Sequence, residues 1–171
     1  MTRMTTQLSE SSMNAIIDLQ LISESCDIPS QQDMQFWVDT LLSHLQLVKK
    51  EITVRIVDEQ EIQQLNQQYR GKDSTTNVLS FPFDMPAVMT SDDVQIDDSL
   101  SQFLGDIVIC AAVVQNESEQ QDKLINHHWA HLLIHGVLHL VGYDHIETAD
   151  AEEMESIEIA VLQKLSIDDP Y

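Results

Sequence analysis

The stretch HLLIHGVLHLVGYDH, residues 131–145, decides how the fold and the chemistry of the whole chain are interpreted. The apolar residues between its histidines predict a helix, on which His135 and His139 lie on one face, one turn apart. Glycine at position 142 can adopt the left-handed conformation that ends a helix. The chain then turns back and can bring His145 to the same face, so three histidines are predicted to meet at one point.

Three neutral imidazoles can hold a divalent metal ion and leave one coordination position open, which is typical of catalytic rather than structural zinc sites. The HxxxHxxGxxH spacing is also that of the metzincin zinc proteases. We therefore predict a catalytic zinc site with His135, His139 and His145 as ligands. Nickel, copper or cobalt are alternative ions, and a histidine-rich core helix without metal is the competing interpretation.

The residue after the first predicted ligand is Gly136, where HExxH enzymes have the glutamate that acts as general base. Its absence counts against peptide hydrolysis. A glycine inside a helix costs roughly 0.5–1 kcal/mol relative to alanine. We therefore expect substrate or a neighbouring strand to approach the helix closely at this position.

The other polar residues of this region remain open to more than one interpretation. His131 lies one turn before His135 and is either a pocket residue or a satisfied core histidine. Asp144 either orients an imidazole or stabilises the turn. The remaining histidines are interpreted as structural or surface residues: His44, His127 and His128.

A second informative stretch is LNQQYRGKDSTTNVLSFPF, residues 65–83. It contains Arg70, whose guanidinium can hold a phosphate through two parallel hydrogen bonds and stays charged. Beside a metal ion, such a group would stabilise the charge that develops on a phosphodiester during cleavage. The alternative is an ordinary arginine near a helix C-terminus.

Together with LGDIVI (104–109) and HGVLHLVGYDH (135–145), this stretch resembles the YbeY family of bacterial rRNA maturation factors and single-strand-specific endoribonucleases. The resemblance extends from about residue 16 to residue 165, with Thr75 where family members often have proline. It implies an α+β fold, zinc on the three histidines, and catalytic roles for Arg70 and His135. We assign substrate binding to Arg70, Lys72 and His131.

The resemblance also implies a pathway, namely 16S rRNA 3′ end maturation and ribosome quality control. The expected partners are single-stranded RNA, the ribosome and ribosome-assembly proteins, with no DNA and no membrane. Two other hypotheses are a metallohydrolase of another substrate class and a ribosome-associated binding factor whose metal stabilises the fold. The general base is left open between hydroxide on the metal, the RNA 2′-hydroxyl and a carboxylate such as Asp106 or Asp144.

Hydrophobic periodicity predicts a single compact α+β domain over residues 16–167, preceded by a loose extension (1–15) and followed by a tail (168–171). A small mixed sheet of about four strands is covered by about five helices. Asp122 is predicted to cap the histidine helix, and an acidic insertion over 84–103 is either a mobile flap or a solvated linker. The predicted strands are 16–22, 52–57, 78–83 and 104–110, and the predicted helices are 31–48, 59–69, 111–121, 123–141 and one from 148.

The chain has 171 residues with 8 Lys+Arg and 29 Asp+Glu, a formal charge of −21. This charge excludes a broad, charge-driven grip on nucleic acid or on an anionic membrane. With no recognisable signal peptide or membrane-length apolar run, we expect a cytoplasmic protein. The basic residues are concentrated in one segment, which predicts a local positive track and delivery of RNA by the ribosome: Lys49, Lys50, Arg55, Arg70 and Lys72.

Overall fold

The computed structural model describes residues 15–25, 27–83, 102–144 and 146–171. Within these ranges the strands form one sheet in the order β1-β2-β4-β3, in which β1, β2 and β4 are parallel and β3 is antiparallel to β4. Proline fits in β3 because it ends this edge strand, where a missing N–H disturbs the sheet least. The predicted small mixed sheet is confirmed, with strands β1 Ala15–Leu21, β2 Lys50–Val57, β3 Val78–Pro82 and β4 Phe103–Cys110.

The helices of the described residues number five, which confirms the predicted α+β class. The first ends at His44 rather than at residue 48, because Gln46 has a positive φ of 59°. The histidine helix begins at Ile125, and Asp122 lies in the turn before it with a φ of 55°. The predicted Asp122 cap is therefore wrong. The helices are α1 Gln31–His44, α2 Glu59–Arg70, α3 Ala111–Gln120, α4 Ile125–Val141 and α5 Thr148–Lys164.

The two faces of the sheet are covered differently. One face carries the main core, where Ile52, Val54 and Ile56 of β2 are buried against side chains from α1, α3, α4 and α5. Side chains alternate along a strand, so Thr53 and Arg55 lie on the opposite face. On that face α2 packs over a second, smaller cluster of buried residues, which are Val57, Ile62, Leu79, Val108 and Cys110.

Gly136 lies where α4 crosses the sheet. A Cβ atom there would lie 3.2 Å from Ile107 Cγ2 and 3.3 Å from Ser80 Oγ, which is tight contact with β4 and β3. The Ser80 hydroxyl donates a hydrogen bond to the Gly136 carbonyl at 3.1 Å. A neighbouring strand therefore accounts for the glycine that the sequence left unexplained.

Gly105 is the position in the sheet at which we expect an alanine to be most damaging. Its φ is 141°, and a Cβ atom there would lie 2.3 Å from the backbone oxygen of Phe81 and 3.0 Å from the backbone nitrogen of Phe83. Neither backbone atom can move without separating β3 from β4. We expect Gly105→Ala to lower the free energy of unfolding by about 3 kcal/mol or more, measured by urea denaturation.

Gly71 provides the matched control, because it also has a positive φ, 68°, but a Cβ atom there would meet nothing within 4 Å. Gly71→Ala should lose only about 1–2 kcal/mol, the cost of the left-handed conformation itself. Equal losses for the two variants would contradict the close approach of Phe81.

Several sequence-based expectations fall outside the described residues. They concern nearly all of the N-terminal extension over 1–15, most of the acidic insertion over 84–103, and the third predicted ligand, His145. Among the residues that are described, no helix combines the length and apolarity required to cross a membrane.

Candidate metal centre

Helix α4 ends as the sequence predicts. Gly142 has a φ of 114°, and its backbone N–H donates to the carbonyls of Leu138 and His139. The left-handed residue turns the chain back immediately after the histidines. As a result, the carbonyl of Tyr143 lies beside the His139 ring.

Both histidines use their Nδ1 atoms for hydrogen bonds within the protein. His139 Nδ1 donates to the Tyr143 carbonyl at 3.0 Å, and His135 Nδ1 donates to the Glu158 carboxylate at 2.6 Å. A carbonyl and a carboxylate can only accept, so each neutral ring carries its proton on Nδ1 and its lone pair on Nε2. The Nε2 atoms of His135 and His139 face each other at 3.0 Å.

This donor set fits a divalent metal ion. Two imidazole nitrogens bound to one tetrahedral zinc lie roughly 3.3 Å apart, because each bond measures about 2.0–2.1 Å. The observed separation of 3.0 Å is close to that value. Metal-bound histidines usually donate their other ring N–H to a carboxylate or a backbone carbonyl, and both arrangements occur here.

Glu158 of α5 is fully buried and joins three side chains. Its carboxylate accepts from His135, from His131 Nε2 at 3.1 Å, and from the Tyr171 hydroxyl. Burial raises the pKa of Glu158, but hydrogen bonds from His131, His135 and Tyr171 outweigh that effect and lower the pKa to about 2. Glu158 is therefore a carboxylate at neutral pH, and both of its oxygens can accept hydrogen bonds.

A second arrangement of ligand atoms shares one of these histidines. His131, His135 and Glu158 each offer one atom within 4.8 Å of the others and could hold a metal ion. In this group His135 would use Nδ1, whereas toward His139 it presents Nε2. An ion there would replace the hydrogen bonds that Glu158 now accepts, so the two arrangements are alternatives that experiment can separate.

A groove of about 790 Å³ brings together the two stretches that the sequence singles out. Arg70, His135 and His139 all line it, with β3 forming one side and Asp144 lying at the turn after α4. Arg70 and the predicted ligands are separated by more than 60 positions in the sequence, yet they face the same space. The lining of one groove therefore includes both histidines and a cation, Arg70.

Other predicted residues lie elsewhere. His131 lines a separate cavity of about 210 Å³, beside the segment that carries Asp168 and Pro170. The predicted tail over 168–171 ends in Tyr171, whose ring packs edge-on against His131 with ring centroids 5.5 Å apart. Lys72 is exposed beyond the end of α2 and does not line the groove, and Asp106 lines a different concavity.

The positive track is narrower than the sequence suggests. Arg55 pairs with Glu61, at 2.9 Å from Nε and 2.7 Å from Nη2, and Nη1 donates to Gln20 at 3.1 Å. Its charge is therefore balanced locally. His128, interpreted as structural, is buried and contacts Glu117 at 2.7 Å, in keeping with that role.

Comparison with known proteins identifies the family. A family model described as endoribonuclease YbeY matches residues 19–166. A protein from Alteromonas mediterranea named endoribonuclease YbeY is 48% identical over 164 residues, covering 93% of this chain and 98% of the relative. One of the same name from Colwellia psychrerythraea is 46% identical over 162 residues, with the same coverage.

The fold is also similar to a solved structure. The solution structure of a Thermotoga maritima protein has a TM-score of 0.54 and 25% identity, covering 88% of this chain and 92% of the other. The family match extends over most of the chain and includes Arg70, His135 and His139. The chain belongs to the YbeY family.

Proposed function

We propose that this chain is a metal-dependent endoribonuclease that cleaves single-stranded RNA during rRNA processing. The relatives from Alteromonas and Colwellia carry the name endoribonuclease, and this chain covers 98% of each of them. We assign to it 16S rRNA 3′ end maturation and ribosome quality control, with the ribosome and ribosome-assembly proteins as partners.

One observation carries the proposal, namely that Arg70 lines the same groove as the convergent Nε2 atoms of His135 and His139. A phosphodiester in this groove would lie between a guanidinium and a divalent ion. Preorganised positive groups of this kind stabilise the charge that develops on the phosphate oxygens during cleavage. Arg70 supplies one positive charge to the groove on a chain whose formal charge is −21, and a bound divalent ion would add two more against the carboxylate of Asp144.

We propose zinc as the ion, with His135, His139 and His145 as its ligands. When bound, the ion supplies Lewis acidity to the phosphate. Glu158 and the Tyr143 carbonyl hold the two described ligands in the tautomer that the ion requires.

The remaining roles belong to residues around the groove. Arg70 would hold the non-bridging phosphate oxygens, and Lys72, exposed two residues further on, would contact the RNA backbone outside the groove. Asp144 is the stronger carboxylate candidate for a general base, because it lines the groove and Asp106 does not. His131 contacts Glu158 rather than the groove, which favours a supporting role over substrate binding.

The metzincin-like spacing keeps peptide hydrolysis as the second candidate function. Position 136 carries the general base in HExxH enzymes. Here a Cβ atom at this position would lie 3.2–3.3 Å from side-chain atoms of Ile107 and Ser80. A glutamate would not fit there without displacing the helix from the sheet. This contact disfavours a protease and adds a physical reason to the absence of the glutamate.

The decisive experiment is cleavage of single-stranded and duplex RNA by purified protein, with and without a chelator. We expect cleavage of the single strand only, loss on chelation and recovery when zinc is added back. Arg70→Ala should reduce the rate by about 100-fold, the effect of losing one transition-state contact, while metal content stays unchanged.

Lys164→Ala is the matched control, because it removes one positive charge from the last turn of α5, away from the groove. It should leave the cleavage rate near that of wild type. Chelator-resistant cleavage, or none at all, would refute the metalloendoribonuclease. RNA binding that persists without cleavage would favour the ribosome-associated binding factor.

A further inference from the structure

A second groove adjoins the one that holds the histidines. It has a volume of about 700 Å³ and lies over the face of the sheet that α2 only partly covers. Its helical side is formed by residues at the spacing of one helix face, 61, 64, 65 and 68. Its charged side chains are Arg55, Glu61 and Asp106, and its exposed polar side chains on α2 include Gln64 and Gln68.

Tyr69 and Phe81 line both grooves and form the ridge between them. Their rings meet edge to face, with centroids 5.1 Å apart, so Phe81 supports the Tyr69 ring. Tyr69 is nevertheless 60% exposed. An exposed aromatic ring held by a neighbour, directly beside Arg70 in the sequence, offers a flat surface next to the phosphate-binding groove.

The charges of the second groove do not suit a phosphate. Arg55 is balanced by Glu61, and Asp106 contributes a negative charge. Among the described residues that line this groove, Arg55 is the only cation. A strand passing over the ridge would therefore keep its phosphates on the Arg70 side and turn a base toward the second groove.

Amide side chains supply the polar groups of this groove. Gln64 and Gln68 lie on successive turns of α2, and both are exposed. Each amide offers two N–H donors and a carbonyl acceptor, which match the edges of an unpaired base. Single-stranded RNA is usually recognised in this way, by stacking on aromatic rings and hydrogen bonding to base edges.

We propose that the second groove is a nucleobase-binding subsite, in which an unpaired base stacks on Tyr69 while Gln64 and Gln68 contact its edge. The proposal rests on the proposed function, because it places the RNA backbone at Arg70. A duplex could not occupy this subsite without unpairing a base. The subsite would therefore select single strands and favour certain bases beside the cleavage position.

The test measures binding separately from cleavage, using metal-loaded protein and a short fluorescent single-stranded RNA that is 2′-O-methylated so that it resists cleavage. Tyr69→Ala should weaken binding about tenfold, the loss expected for one stacked base. Tyr69→Phe should bind like wild type, because it retains the ring. Phe36→Ala, which removes a ring that is 61% exposed on α1 outside both grooves, should have no effect.

Abasic substitution in the RNA locates the base. At one position near the scissile bond, removing the base should weaken binding to wild type about tenfold but should not weaken binding to Tyr69→Ala further. Equal effects of the abasic substitutions on both proteins, or wild-type affinity in Tyr69→Ala, would overturn the subsite. If wild type shows the expected binding pattern but no metal-dependent cleavage, the proposed endonuclease fails and the subsite stands.

Discussion

His139→Ala is expected to remove the metal ion and to reduce RNA cleavage below detection. The substitution deletes one of two Nε2 atoms that face each other at 3.0 Å, and alanine offers no replacement ligand. A catalytic zinc site with two remaining protein ligands binds its ion poorly. Two quantities are measured. The first is the number of zinc ions per chain, by elemental mass spectrometry, and the second is the rate of RNA cleavage in the presence of excess zinc.

Thermal unfolding provides a second readout of the same loss. An ion present at 1,000 times its dissociation constant stabilises the folded state by about 4 kcal/mol. Wild type should therefore melt at a higher temperature with zinc, whereas His139→Ala should not respond. His127→Ala is the control. His127 belongs to the same helix, but its side chain lines the cavity beside His131 and not the groove.

His139→Ala and a further variant, His131→Ala, together separate the two possible ligand groups. If the ion lies on the His135–His139 side, His139→Ala loses zinc and His131→Ala retains most of it. If the ion lies among His131, His135 and Glu158, the pattern is reversed. Full zinc content in His139→Ala would therefore refute the assignment made from the HxxxHxxGxxH spacing.

The sequence predicts this site in part because its described ligands are local. His135 and His139 are one helical turn apart, so their convergence follows from helix geometry alone. The end of α4 at Gly142 is equally local, since a left-handed glycine ends a helix wherever it occurs. The sheet and helices were found for the same reason, because periodicity of 2 or 3.6 residues survives in the sequence.

Glu158 was missed because its role depends on the packing of two helices. It lies 23 residues after His135 and sits among exposed acids such as Glu152 and Glu155, so composition gives it no distinction. A signal was present nonetheless. Position 158 falls four residues after Met154 and three before Val161, both buried, so an acid there points into the core and requires partners.

Contacts across the sheet were beyond sequence reasoning as well. A glycine inside a helix, as at position 136, indicates that another part of the structure approaches the helix closely. The sequence does not reveal that the neighbours are Ile107 and Ser80. The cap predicted at Asp122 failed because the turn after α3 needed a residue with positive φ there, and an aspartate tolerates that conformation. At Asp122 the geometry of the turn therefore outweighed the preference of aspartate for a helix N-cap.

Glu158→Gln is expected to weaken zinc binding by about 10- to 100-fold while leaving the fold intact. The amide oxygen can still accept from His135 Nδ1, but the negative charge that increases the basicity of the ring is lost. Removal of such an outer partner typically costs this much in metal affinity. The measurement is competition of the protein with a chromophoric chelator for zinc, which reports affinity without reference to RNA cleavage.

The metal-free protein gives an independent test of the ionised state of Glu158. Its pKa of about 2 lies below the ordinary value of 4.5, so the carboxylate stabilises the fold above pH 4.5. That contribution is lost as the pH falls from 4.5 toward 2. Glu158→Gln cannot titrate, so the difference in free energy of unfolding between the two proteins should shrink across this range.

Glu155→Gln is the matched control for both measurements, because it removes the same charge from an exposed position one turn earlier in α5. It should bind zinc like wild type and follow the wild-type acid unfolding curve. If both glutamine variants bound zinc equally well, Glu158 would be a buried structural acid and no more. Tyr171→Phe removes one hydrogen-bond donor to Glu158 but keeps the carboxylate. If it weakened zinc binding less than Glu158→Gln does, the loss of affinity in Glu158→Gln would come from the carboxylate that orients His135, the ligand itself.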